Sequence, residues 1–144
     1  MTLVRPAQVR FYVDADLLGL GHALAALRND VTYPGDPGKV IHKRARPACP
    51  VIPGALDEDW IPIVAGEGWL IITRDRNIQD VPGEIAAVKQ NRAKMVNLTA
   101  DSAGTTWGQL EVVMRHWRAI DELQRKDGPF IVRASLSRMT SIAL

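Results

Sequence analysis

The stretch Trp69-Leu70-Ile71-Ile72-Thr73-Arg74-Asp75 decides the reading of this chain. Trp69 to Thr73 is a continuous apolar run, the pattern of a strand buried on both faces. Burial on both faces requires helices on both sides, which is the layout of an α/β sheet. The run stops at Arg74-Asp75-Arg76, so an acid stands just past the carboxyl end of the strand. Upstream, Val9-Arg10-Phe11-Tyr12-Val13 is β-branched and aromatic, and it also ends on an acid, Asp14. Val31 to Tyr33 reads as a short second strand and Lys94 to Leu98 as a later one. Phe130 to Leu144 reads as two short strands joined near Ser135 to Arg138, a C-terminal β-hairpin.

Helical patterns fill the spaces between. Leu17, Leu20, Leu24 and Leu27 recur at spacings of three, four and three, which places four leucines on one helix face, with Asp16 as the expected N-cap. Gly19 and Gly21 weaken this helix by up to about 1 kcal/mol each. Asp57-Glu58-Asp59 opens a helix that runs to about Glu67, with acids in the first turn where the helix dipole favours them. A further helix is expected from Pro82 to Asn91. The longest is expected from about Trp107 to Arg125, capped by Thr106, with Leu110, Val113, Met114, Trp117, Ile120 and Leu123 as its apolar stripe. Strands alternating with helices imply right-handed crossovers and a mostly parallel sheet. Pro34 to about Leu56 stands apart. It holds five prolines, three glycines, the cations Lys39, Lys43, Arg44 and Arg46, His42, and one acid, Asp36. The expectation is an irregular basic loop inserted in one domain that spans residues 1–144.

Composition bounds what this domain does. The 144 residues suit one domain with a real core. At 47% hydrophobic and 24% charged, the chain has the make-up of a soluble globular protein. There is no apolar run of 18 residues or more, so a transmembrane helix is not expected, and Met1 to Gln8 lacks the apolar core of a signal peptide. A cytoplasmic location without a membrane partner is the expectation. One cysteine, Cys49, excludes an internal disulfide and a cysteine metal cluster. His22, His42 and His116 have no ligand spacing that would suit zinc, and no serine sits in a G-x-S-x-G elbow. Gly19-x-Gly21 lacks the third glycine of a dinucleotide fingerprint. The tryptophans Trp60, Trp69, Trp107 and Trp117 fall on apolar positions and are expected in the core. The net charge of +2 permits a nucleic-acid partner without demanding one.

The acids carry the chemistry. In parallel sheets ligands bind beyond the carboxyl ends of the strands. Asp14, Asp16 and Asp75 all fall at that edge, and Asp57 and Asp59 begin a helix whose start lies near it. Singly, each acid has a plainer role as a cap or a turn. Jointly, carboxylates in one cleft repel and either raise one another's pKa or hold cations. Mg²⁺ or Mn²⁺ prefers such oxygen ligands, and a site of that kind binds a phosphodiester and activates a water. The basic segment would then hold a nucleic-acid backbone, with Lys39, Lys43, Arg44, Arg46, Arg74 and Arg76 as the candidate contacts.

Phe11-Tyr12-Val13-Asp14-Ala15-Asp16-Leu17 resembles the opening of PIN-like domains. Asp57-Glu58-Asp59-Trp60-Ile61, leading through Ala65 and Gly68 to Trp69 and the Thr73-Arg74-Asp75 turn, resembles the second half of the same signature. The C-terminal half, with Trp107, Trp117 and Gly128-Pro129-Phe130, is similar to a subgroup of VapC-type toxins. The resemblance implies a three-layer α/β fold and an endoribonuclease dependent on Mg²⁺ or Mn²⁺. It also implies RNA as substrate and a toxin–antitoxin role with a cognate antitoxin protein as partner. A homodimer is compatible with it. Carried over, Asp14, Asp57 and Asp75 are the metal ligands, Asp59 competes with Asp57, Asp16 assists, and Thr73 supports the site by hydrogen bonding.

Three rival readings make different demands on the sequence. A receiver domain would want a lysine after a later strand, but Lys94 begins its strand. A D-x-D phosphatase would want Thr or Val where Leu18 stands. A non-catalytic PIN-like nucleic-acid-binding protein keeps every feature above and differs only in turnover.

Overall fold

A computed structural model of the protein describes residues 3–75 and 82–144. Its main sheet has six strands in the order β3-β2-β6-β7-β8-β9. These are β2 (Phe11–Val13), β3 (Val31–Thr32), β6 (Leu70–Thr73), β7 (Lys94–Leu98), β8 (Phe130–Ala134) and β9 (Met139–Ile142). The first five run parallel, and β9 returns antiparallel to β8, as the expected C-terminal hairpin. The chain moves from β2 sideways to β3, then back across β2 to β6. The strand order therefore reverses at β2, and the crevice between the ends of β2 and β6 is where ligands bind in such sheets.

Helices cover both faces, and period-two alternation assigns side chains to each. Phe11, Val13, Leu70, Ile72, Val96 and Leu98 point into one core layer, with Leu20 and Leu24 of α1 (Leu18–Leu27), Val112 and Val113 of α4 (Thr106–Arg115) and Ile120 of α5 (Trp117–Gln124). Tyr12, Ile71, Met95 and Ile131 point the other way, towards Trp60, Ile61 and Val64 of α2 (Asp57–Gly66) and Val88 of α3 (Pro82–Asn91). All four residues of β6 are buried, which is the outcome its unbroken apolar run dictates. Each aliphatic side chain fully buried in these layers contributes roughly 1.5–3 kcal/mol. Among the described residues no helix is long and apolar enough to cross a membrane.

Several expectations need correction. The basic segment is not an irregular loop. Lys39–Ile41 (β4) and Arg44–Arg46 (β5) form an antiparallel hairpin, and Arg5–Pro6 (β1) adds in parallel to β5, giving a second sheet of order β1-β5-β4. No glycine marks the hairpin turn, because His42 and Lys43 themselves adopt the left-handed conformation at φ 51° and 62°. Gly38, at φ 87°, is needed where the chain enters it, since a Cβ there would lie 2.3 Å from the Arg46 carbonyl oxygen.

The long C-terminal helix is two helices, α4 and α5. His116 leaves helical geometry at ψ 11°, and its Nε2 lies 2.7 Å from the Ser135 carbonyl oxygen in the β8–β9 turn. Thr105 caps α4 in place of Thr106, accepting from the Gly108 amide. Leu27 and Met114 are exposed, so Leu27 drops from the end of its apolar stripe and Met114 from the middle of the other, which continues to the buried Ile120. Trp107 is 80% exposed, unlike the buried Trp60 and Trp69. Asp16 caps no helix. Asp14 accepts from the Ala15 amide at the start of a 3-10 turn, Ala15–Leu17, that precedes α1.

Candidate active site

The carboxyl edge of the sheet gathers the acids. Asp14 leaves β2, Asp75 stands two residues past β6, and Asp57 is the first residue of α2. Together with Asp16 they line a cleft of about 300 Å³. Each is held by a specific contact. The Thr73 hydroxyl lies 3.1 Å from Asp14 Oδ2 and 3.4 Å from Asp16 Oδ2, donating its single proton between them. The Arg74 amide also donates to Asp16 Oδ2, at 3.2 Å. The Trp60 indole N–H donates to Asp57 Oδ1 at 2.9 Å, one helical turn along, and its ring packs 5.1 Å from that of Tyr12. Core packing beneath the cleft therefore sets the direction of the Asp57 carboxylate.

Two residues of this site escaped the sequence reading. Glu84, in the first turn of α3, lines the same cleft and its carboxyl bonds to those of Asp75 and Asp57. It lies outside the strand-end pattern that singled out the aspartates, and a lone glutamate near a helix start is an ordinary dipole partner. Asn97, 1% exposed in β7, clasps Asp75 by its backbone. Its Oδ1 accepts from the Asp75 amide at 2.8 Å, and its Nδ2 donates to the Asp75 carbonyl. A polar residue inside the run Lys-Met-Val-Asn-Leu was the available signal.

The electrostatics follow from crowding. Burial raises the pKa of Asp14, and the charges of Asp57 and Asp75 raise it further, against the lowering effect of the Ala15 and Thr73 bonds. Asp16 is open to solvent on its outer side, yet its carboxylate reaches into the cleft, and burial with the Asp14 charge lifts it to about 6. Burial, the bonds to Asp75 and Asp57 and their charges lift Glu84 to about 8. A proton held on Glu84 is what lets carboxyls so close together coexist.

Not every expected residue arrives. Asp59, exposed on α2, does not line the cleft, so Asp57 is the member of that pair at the site. Arg46 is 5% exposed and paired with Asp36, the Nε–Oδ2 distance being 2.7 Å, so it is unavailable to a ligand. Lys39, Lys43 and Arg44 are exposed on the second sheet, away from the cleft. Arg76 lies outside the described residues. Arg74 does line the cleft, and its buried Nε has no hydrogen-bond partner among them. Burial raises the Cys49 thiol, which does not suit a nucleophile.

The family model described as PIN like domain matches residues 9–100, more than half of the chain. The chain belongs to the PIN-like domain family. Neither a curated protein nor a solved structure gives a significant match. PIN-like domains are commonly nucleases, and in this one the matched segment contains every acid of the cleft. The donor set is all oxygen, the type that hard divalent cations take. Among the described residues no three His, Cys, Asp or Glu side chains are already drawn together at metal-ligating separations.

Proposed function

We propose that this PIN-like domain is an endoribonuclease dependent on Mg²⁺ or Mn²⁺. The observation that carries the reading is the convergence of Asp14, Asp16, Asp57, Asp75 and Glu84 on one cleft at the switch point of the sheet. So many carboxylates without balancing cations cost stability, a cost that folds accept at functional sites. Asp14, Asp57, Asp75 and Glu84 would hold the metal. When bound, it would supply a water of lowered pKa and neutralise charge on the phosphodiester. Thr73 fixes the directions of Asp14 and Asp16 through its shared proton. Asp16 accepts protons near neutral pH, at the level a general base requires. Asn97 keeps the Asp75 backbone in register, and the unpartnered Arg74 Nε offers an N–H to a phosphate oxygen.

Cleavage of a mixed RNA pool by purified protein, with Mn²⁺ or Mg²⁺ beside EDTA and an Asp75→Asn variant, tests this. Metal-dependent cleavage lost in both controls is the expected result. Folded protein that binds RNA but cleaves none of the pool would favour the non-catalytic reading. The narrower role, a VapC-type toxin held by a cognate antitoxin in the cytoplasm, rests on the resemblance of the C-terminal half. Growth arrest on induced expression, absent for Asp75→Asn, is its test.

A further inference from the structure

The cations of the second sheet lie at the opposite edge of the main sheet from the acids. Helix α1 begins beside Asp14 and Asp16 and ends at Leu27, about 15 Å away along its axis. Arg46 binds the carbonyl oxygens of Ala25 and Arg28 at that far end, and the Asn29 side-chain amide donates to the carbonyls of Ile41 and Arg44. The hairpin is therefore clamped to the amino edge on both sides of its His42-Lys43 turn, whose side chains stay exposed.

Three observations distinguish this surface from an ordinary solvated one. Arg5 and Arg44 are register partners on neighbouring parallel strands, a like-charge pairing that disfavours the sheet. Among the described residues no carboxylate pairs with Arg5, Lys39, Lys43 or Arg44. The turn also keeps His42 and Lys43 in left-handed geometry, where Asn-Gly is the easy choice. The fold thus accepts charge repulsion and turn strain together to present exposed cations around one hairpin tip. We propose that this tip is a second contact for the RNA phosphate backbone, remote from the cleft, that retains strands long enough to reach both edges. The proposal rests on RNA as the substrate. Arg44 lines a cavity with Ala7, Leu27 and Asp30, while the cations themselves are exposed, and exposed charge is what phosphate contact needs.

The test is fluorescence anisotropy in EDTA with labelled RNAs of about 20 and about 4 nucleotides, the range over which single-strand site sizes fall. The variant is Arg5→Gln/Lys43→Asn/Arg44→Gln. Asn suits the left-handed turn position, and a melting curve checks that the fold survives. Should it not, Lys43→Asn/Lys39→Gln leaves β1 and β5 untouched. The variant is expected to bind the long RNA about tenfold more weakly, with a log–log salt slope shallower by about 2, since each lost contact removes about 0.7. Affinity for the short RNA is expected to move less than about twofold on the same reasoning, because that strand does not span both sites. Equal affinity and slope for variant and wild type on the long RNA would overturn the proposal. So would polyglutamate binding the tip as tightly as RNA does, which would assign it to an acidic protein. Cleavage is measured separately with Mn²⁺, so retained binding without cleavage removes the nuclease reading and leaves this one standing.

Discussion

The two edges of the main sheet handle charge in opposite ways. Beside β3 and the end of α1, towards the amino edge, Arg46 and Asp36 are buried together, with side chains 3% and 0% exposed, and each polar atom of the pair has a partner. Asp36 also accepts from the Thr32 hydroxyl and the Gly38 amide, and Arg46 donates to the Ala25 and Arg28 carbonyls. At the carboxyl edge five acids crowd one cleft, and burial together with neighbouring charge raises the pKa of Asp14, Asp16 and Glu84. Burial alone therefore does not mark function. A buried charge with its complement is architecture, whereas like charges gathered at the switch point of a sheet are the pattern expected of a functional site.

The sharpest way to break the contrast is at Arg46. Arg46→Met leaves Asp36 buried without its counter-charge and is expected to cost about 3–5 kcal/mol in denaturant unfolding. Replacing both, Asp36→Leu with Arg46→Met, should restore most of that loss, because the pair is stabilising only relative to half of itself. At the other edge the ranking reverses. Asp75→Asn removes repulsion, and Glu84→Gln keeps a neutral donor where the glutamate holds its proton, so melting in EDTA should hold or rise. Cleavage should fall at least about 100-fold for Asp75→Asn, a loss of about 2.7 kcal/mol in transition-state stabilisation. A variant that lost stability and activity in proportion would show that the acids are structural.

How much of this was legible depends on the range of the signal. Strands β6 and β7, helices α2 and α3, and Asp14 and Asp75 at strand ends are written in local periodicity, and the structure keeps them where the pattern put them. The α4–α5 break is set by a bond from His116 to Ser135, 19 residues away, and no glycine or proline marks it. The hairpin at Lys39–Arg46 hides among prolines, and its turn uses residues with no turn signature. Glu84 joins the site only because α3 packs beside α2, a tertiary fact. The N-cap role expected of Asp16 fails for a related reason, since its partners Thr73 and Arg74 are more than fifty residues on, while its place beside the site holds.

A smaller effect is expected at Asn97. Asn97→Ala leaves the Asp75 amide and carbonyl without their buried partner, at about 1–3 kcal/mol, and loosens the aspartate. Cleavage should drop by roughly tenfold, a positioning loss rather than the loss of a ligand. Asn97→Asp supplies an acceptor but no donor and should recover only part of the stability.

The smallest effects come from pH and from Asp59. Asp16 and Glu84 hold protons in the folded protein that the unfolded chain has already released, because their folded pKa values, about 6 and about 8, lie above the ordinary ones. Stability in EDTA should therefore fall as pH rises from about 4 to about 8, by a few degrees in Tm. Mn²⁺ should flatten that slope, since cation binding replaces the protons and tightens with pH. Asp59→Asn serves as the reference within the same helix turn. It neighbours Asp57 in sequence and carries the same charge, but its side chain faces solvent and does not line the cleft. If position at the carboxyl edge is what makes an acid functional, Asp59→Asn should change cleavage by less than about twofold and leave the pH slope intact. An effect of Asp59→Asn comparable to that of Asp57→Asn would mean that net charge near the cleft, rather than the geometry fixed by Trp60 and Thr73, governs the site.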